Sequence, residues 1–211
     1  VLSAAIRQIQ LAANRSDGLS GLQTGVHDID KITSGWQNSD LIIIAARPAM
    51  GKTAFVLSMA KNMAVSYNTP VAIFSLEMSN VQLVNRLIIN TCEIPGEKIK
   101  SGQLAPFEWE RLMSRIEILR NAPIYIDDTP SLSVFELRTK ARRLVREHGI
   151  KIIIIDYLQL MNASGMSFGS REQEVSTISR SLKQLAKELQ LPIIALSQLN
   201  RSVESRGNDK D

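Results

Sequence analysis

Five short runs in which neither alternating set of positions is polar recur along the chain: LIIIAA (Leu41 to Ala46), VAIFSL (Val71 to Leu76), IYI (Ile124 to Ile126), KIIIID (Lys151 to Asp156) and IIALSQ (Ile193 to Gln198). Side chains of a strand point alternately to its two faces, so a strand that is apolar throughout has both faces covered, as in a parallel sheet flanked by helices. Long intervening segments supply the crossovers that parallel strands need. The pattern predicts an α/β domain with a mainly parallel central sheet, and no internal repeat interrupts it.

Helical spacing fills much of the remainder. Ser133 and Glu136 form an S-x-x-E capping box ahead of the stripe Leu137, Ala141, Leu144 and Val145, and Gly149 closes that helix. Val175, Ile178, Leu182, Leu185 and Leu189 make a second stripe on a helix ending before Pro192. Leu2, Ile6, Ile9 and Ala13 make a third, followed by a polar hinge, Asn14-Arg15-Ser16-Asp17-Gly18. The face of this first helix docks either on its own domain or on a neighbour. Asn162 to Ser170 is a Gly/Ser-rich loop expected to be mobile, Glu93 to Glu110 reads as loop with a short helix, and the last eleven residues, RSVESRGNDKD, read as a polar tail.

Composition narrows the class. The 211 residues are 44% hydrophobic and 22% charged, a globular composition rather than that of a disordered chain. Every apolar run falls far short of the ~18 residues needed to span a bilayer, and the start of the sequence lacks signal-peptide architecture, so a soluble, non-secreted protein is expected. The single cysteine, Cys92, cannot form an internal disulfide, which fits a reducing compartment. A formal net charge of +4 says little about nucleic acid; the placement of the charges decides that.

Candidate chemistry starts after the first apolar run. Arg47-Pro48-Ala49-Met50-Gly51-Lys52-Thr53 leads into AFVLSMAKNMA, which gives the order strand, loop, Gly-Lys-Thr, helix. Loop amides and an open helix N-terminus surround a phosphate, Lys52 adds a charge toward the outer phosphates, and the Thr53 hydroxyl can ligate Mg²⁺. The G-x-x-x-x-G-K-[ST] template puts its first glycine at position 46, where this chain has Ala46; alanine serves if its φ stays negative. A second acid is needed to hold Mg²⁺ through its water shell. Asp156, closing the isoleucine run, fits best; Asp127 with Asp128 is the rival, although Asp-Asp-Thr-Pro is also an ordinary strand-ending turn. Glu77, after VAIFSL, reads either as a general base in a hydrophobic neighbourhood or as an acid preceding the helix at Ser79-Asn80. Gln198, at the end of the last run, is a candidate for sensing the γ-phosphate.

Taken together, these residues resemble the motor domain of replicative DnaB-type helicases, hexameric RecA-like ATPases of bacterial replication forks. The resemblance spans nearly the whole chain and rests on Thr24-Gly25 with Asp30, Thr33-Ser34-Gly35-Trp36, ARPAMGKT (Ala46 to Thr53), FSLEM (Phe74 to Met78), IIDYLQLM (Ile154 to Met161), REQEVSTISRSLKQLAKEL (Arg171 to Leu189) and LSQLNR (Leu196 to Arg201). It implies a RecA-like P-loop NTPase fold with ATP and Mg²⁺ as cofactors. Ala46 to Thr53 would bind the nucleotide, Lys52, Glu77 and Gln198 would act in catalysis with Glu77 as base, and Thr53 and Asp156 would hold the metal. Residues 1–16 would be a linker helix and hinge and residues 17–211 the ATPase core. The linker stripe would pack on the adjacent subunit of a homo-hexameric ring, in a bacterial, cytoplasmic, nucleoid-associated protein that does not enter a membrane.

The same resemblance places Asn162 to Arg171 near a channel for single-stranded DNA. Arg171 either meets backbone phosphate or positions that loop, or else serves in a salt bridge or in packing at the helix N-terminus. The basic helix with Arg138, Lys140, Arg142, Arg143 and Arg146 reads as a solvated face or subunit contact rather than a DNA patch. Primase and a helicase loader are expected partners of the full-length protein. The family also carries an N-terminal domain, and continues past Arg201 to a DNA-gripping loop and an arginine finger, a device worth ~10³ to 10⁵ in rate. A chain ending at Asp211 is therefore expected to bind nucleotide, hydrolyse it feebly and not unwind DNA. Two other readings share these motifs: a recombinase-type or clock-type RecA ATPase, and a nucleotide-gated assembly module.

Overall fold

A computed structural model of the chain describes residues 2–15, 18–163 and 169–199. The elements run α1 (Leu2–Ala13), α2 (His27–Thr33), β1 (Leu41–Ala46), α3 (Lys52–Tyr67), β2 (Val71–Ser75), α4 (Asn80–Cys92), α5 (Gly96–Ser101), α6 (Pro106–Asn121), β3 (Ile124–Asp127), α7 (Val134–His148), β4 (Ile152–Asp156), a 3₁₀ turn (Leu158–Leu160), α8 (Arg171–Leu189) and β5 (Ile193–Gln198). Among the described residues, five strands form one parallel sheet in the order β1-β5-β4-β2-β3.

The isoleucine run of β4 accounts for the layering. Ile153 and Ile155 join Ala72, Phe74, Ile193 and Ala195 on one face, under Leu137 and Ala141 of α7 and Ile178, Leu182 and Leu185 of α8. Ile152 and Ile154 join Val71, Ile73, Ile194 and Leu196 on the other, under Val56, Met59 and Met63 of α3 and Leu83 and Leu87 of α4. Consecutive residues thus enter opposite cores, which is why no alternation shows in the sequence. Coverage of both faces holds for the inner strands but not for the edges: β1 and β3 are only partly buried, and Ile43 is exposed. Edge strands lack a neighbour on one side, so hydrophobicity alone does not report their burial.

Helix ends follow the expected chemistry. The Ser133 hydroxyl accepts from the Glu136 amide, and Gly149 ends α7 in the left-handed region. Gln190 ends α8 the same way, two residues before Pro192. The stretch from Glu93 to Glu110 contains α5 and the start of α6, which is longer than the short helix expected there. Buried Glu108 ties that turn together by accepting from Lys98 Nζ at 2.7 Å and from the Ala105 amide at 2.8 Å.

The segment ahead of β1 braces α3. The Thr24 amide donates to Asp30 Oδ1 at 2.9 Å, both residues being buried, and Trp36 Nε1 donates to Met59 Sδ at 3.4 Å. Gly35 sits at φ +81°, where a Cβ would lie 2.6 Å from the Leu22 carbonyl oxygen, so only glycine fits this turn. The stripe of α1 is not buried on its own domain: Leu2, Ile6 and Ile9 are all exposed. Parts of the hinge (Ser16, Asp17), of the Gly/Ser-rich loop (164–168) and all of the polar tail lie outside the described residues. Among the described residues, no helix is long and apolar enough to cross a membrane.

Candidate nucleotide site

The strand order brings the carboxyl ends of β1, β5, β4 and β2 side by side, and these ends carry the predicted chemistry. Ligands of open parallel sheets bind at this edge, where neighbouring connections depart to opposite faces. A cavity of about 540 Å³ lies there, lined by Arg47 to Thr53, Glu77, Met78, Gln82, Arg86, Asp156 and Gln198. Its size suits a nucleotide-sized ligand.

The loop is built by local backbone geometry. Ala46 closes β1 paired with Gln198, and its φ is not among the positive ones, which satisfies the condition for replacing the template glycine. The left-handed turn falls instead on Ala49 (φ +63°) and on Gly51 (φ +82°), the N-cap of α3. Lys52 and Thr53 are therefore the first two residues of α3, and both line the cavity at the helix end whose amides lack intrahelical partners. Lys52 Nζ donates to the Ala46 carbonyl at 3.0 Å, so the ammonium lies along the inside of the loop.

Thr53 Oγ1 donates to Asp156 Oδ2 at 2.7 Å, across a sequence separation of 103 residues. Asp156 is buried, and burial pushes its carboxyl above the ordinary value, against the opposing pull of the Thr53 hydroxyl and the charges of Lys52 and Arg86. A desolvated carboxylate at a cavity gains from meeting a positive charge. Among the described residues, no group of three or more His, Cys, Asp and Glu side chains could hold a metal. A pair made of one hydroxyl and one carboxylate fits Mg²⁺, which keeps waters and takes its other ligands from substrate phosphates.

The rival acids have other partners. Asp127 pairs with Lys140 at 2.6 Å, and although burial alone would raise its carboxyl, hydrogen bonds from Lys140 and Thr129 leave it lowered. Asp128 accepts from the Asn80 amide at 2.8 Å and so anchors the start of α4.

Glu77 lines the cavity from the turn after β2. That turn is held by Ser75 Oγ, which donates to the Met78 carbonyl at 2.7 Å and accepts from the Met78 amide at 3.2 Å. Two expectations need correction here. The strand ends at Ser75 rather than Leu76, and Glu77 is exposed instead of lying in a hydrophobic neighbourhood. Its carboxylate stays hydrated, because the chain turns toward the open mouth to cap α4 at Ser79.

Arg86 and Gln82 are cavity residues that the motifs did not single out. Both lie on α4, four residues apart and hence on one face, while Leu83 and Leu87 enter the core. The signal was present as the polar stripe of an amphipathic helix that starts beside Glu77. Arg171 is placed apart from the cavity: its guanidinium donates to the Gln159 carbonyl, to the Met161 carbonyl at 3.1 Å and to Glu174. On the basic helix, Arg142 and Arg138 meet Glu188 of α8, and Arg143 and Arg146 lie beside Glu147.

A phosphate-binding loop after one edge strand, with its threonine bonded to the acid that ends an interior strand, places the chain among P-loop NTPases of RecA-like architecture. Comparison with known proteins narrows the class. The chain belongs to the family of the DnaB-like helicase C-terminal domain, whose family model matches residues 21–211. It is 53% identical over 198 residues to the replicative DNA helicase DnaB of Geobacillus stearothermophilus, covering 94% of this chain and 44% of that protein. It is 49% identical over 198 residues to the replicative DNA helicase DnaC of Bacillus subtilis, with the same coverages of 94% and 44%. The chain therefore spans less than half the length of these two helicases. Among solved structures, a DnaB-like replicative helicase, studied with its interactions with primase, superposes with a TM-score of 0.88 at 36% identity, covering 100% of this chain and 51% of that one.

Proposed function

We propose that the chain is the ATP-hydrolysing motor domain of a hexameric replicative DNA helicase that unwinds duplex DNA at the replication fork. The observation that carries this reading is the convergence of Lys52, Thr53, Asp156, Glu77 and Gln198 on one cavity. Loop amides and Lys52 bind the outer phosphates, and Thr53 with Asp156 holds Mg²⁺. When bound, that ion neutralises charge on the transferring phosphoryl group. Glu77 orients the attacking water and takes its proton, a role open to an exposed carboxylate at the cavity mouth. Gln198 meets the γ-phosphate from the end of β5. Arg86 adds positive charge from the α4 side.

Single-stranded DNA is the proposed polymer partner, with Arg171 shaping the segment ahead of α8 that meets it. Primase and a loader are proposed partners of the full-length protein, acting in the cytoplasm. Full-length protein is expected to show Mg²⁺-dependent ATP turnover that single-stranded DNA accelerates and EDTA abolishes. Turnover indifferent to both would overturn the reading.

Residues 1–16 are proposed as a linker whose apolar stripe seats on a second copy of the chain. The exposure of Leu2, Ile6 and Ile9 on one face of α1 supports this. The double variant Leu2→Asp, Ile6→Asp is expected to shift the full-length hexamer toward smaller species in sedimentation velocity. A variant as hexameric as the parent would sink the linker role.

A further inference from the structure

Gln198 reaches the phosphate cavity from the last position of β5, and its setting depends on a residue outside that cavity. Gln159, on the 3₁₀ turn after β4, grips the end of β5 at three points. Its Nε2 donates to Ser197 Oγ at 2.8 Å and to the Gln198 carbonyl at 3.2 Å, while its Oε1 accepts from the Gln198 amide at 3.2 Å. The Gln198 amide can only donate and its carbonyl only accept, so this reciprocal pairing fixes which way the carboxamide points. The grip needs a donor and an acceptor on one side chain. Glutamate offers only the acceptor and leucine neither.

The backbone of the same residue faces the other way. The Gln159 carbonyl accepts from Arg171 at the first position of α8, and that guanidinium also holds the Met161 carbonyl and Glu174. Glu174 in turn accepts from the Ala163 amide at 3.2 Å, so the chain leaving the 3₁₀ turn is tied at its base to α8. Gln159 lines a second cavity, which shares only Pro48 and Gln198 with the nucleotide cavity. Gln159 therefore touches Gln198 of the nucleotide cavity on one side and Arg171 of α8 on the other.

We propose that Gln159 is a positioning residue that sets Gln198 at the phosphate cavity and couples that setting, through its own carbonyl, to Arg171 and the base of α8. This rests on the motor reading above and specifies how the same site is regulated. A shift of Gln198 on loss of the γ-phosphate pulls on the carboxamide of Gln159, and rotation of its backbone changes the acceptor that Arg171 holds. Physical continuity of this kind is what coupling between two sites requires.

The test is a double-mutant cycle in full-length protein, using Gln159→Leu, Arg171→Ala and both together, with ATP turnover read with and without single-stranded DNA. Gln159→Glu, similar in shape but without the donors, stands in if the leucine variant misfolds. For either Gln159 variant the proposal expects an ATP KM within about twofold of the parent. The DNA-stimulated kcat is expected to fall by roughly 5- to 150-fold, the span of ordinary coupling energies. The double variant is expected to be no worse than the more impaired single one, as for two members of one brace. Parental stimulation in the Gln159 variants, or additive losses in which KM rises in step with a fall in melting temperature, would overturn the proposal and leave the motor reading intact. A parent without DNA-stimulated turnover would overturn both.

Discussion

Replacing Glu77 with glutamine lowers ATP turnover by roughly 10² to 10⁴-fold, the usual contribution of a positioned general base, while ATP affinity stays near that of the parent. The side chain keeps its length and its place on the Ser75-to-Met78 turn, whose hydrogen bonds do not involve the carboxylate. What it loses is the ability to accept a proton from water. Single-turnover kinetics alongside equilibrium binding of a fluorescent ATP analogue separate the two effects. The same variant distinguishes a motor from a nucleotide-gated assembly module: a gate that only binds ATP keeps its function in Glu77→Gln, whereas a motor stops.

The second large effect belongs to Asp156, where activity and stability move in opposite directions. Asp156→Asn removes the carboxylate proposed to hold Mg²⁺ and lowers turnover by roughly 10² to 10³-fold, the range for losing one preorganised charge-stabilising group. The amide preserves shape and can still accept from Thr53 Oγ1. At neutral pH it also relieves the protein of a desolvated charge, so the variant melts at or above the parental temperature. The pH dependence has a definite sign. Burial raises the folded-state pKa of Asp156 above its unfolded value. The stability Asp156 contributes is therefore fully present below the unfolded pKa and is lost as pH rises through the raised folded one. Acidifying from neutrality across that window narrows the difference between variant and parent, and melting curves at a series of pH values measure it.

Much of this site was legible because its chemistry is local. The spacing from Ala46 to Thr53 puts a loop between a strand and a helix start, and the structure builds the turn from Ala49 and Gly51. Asp156 was legible from the four isoleucines before it, since a strand buried on both faces leaves its terminal acid at the sheet edge. Glu77 lines the cavity, but not for the reason expected: β2 ends at Ser75, and the chain turns Glu77 toward water instead of into a hydrophobic neighbourhood. Arg86 escaped notice because a polar stripe on a helix has the same pattern whether it faces solvent or a cavity; only the docking of α4 decides between them. The edge positions of β1 and β3 were hidden for a similar reason, because strand order is a property of the assembled sheet. Gln159 carries no motif of its own, and its role depends on β5 arriving beside the turn after β4.

Everything proposed for the motor depends on one cavity at the sheet's carboxyl edge binding Mg²⁺ and ATP through Lys52, Thr53 and Asp156, with Glu77 facing the attacking water. A crystal structure with Mg²⁺ and a non-hydrolysable ATP analogue is the decisive measurement. It is expected to show the outer phosphates within hydrogen-bond reach of Lys52 Nζ, Mg²⁺ at about 2.0–2.1 Å from Thr53 Oγ1 with Asp156 reached directly or through one water, and a water between Glu77 and the γ-phosphate. An analogue bound elsewhere, or a metal held away from both Thr53 and Asp156, would contradict this mechanism.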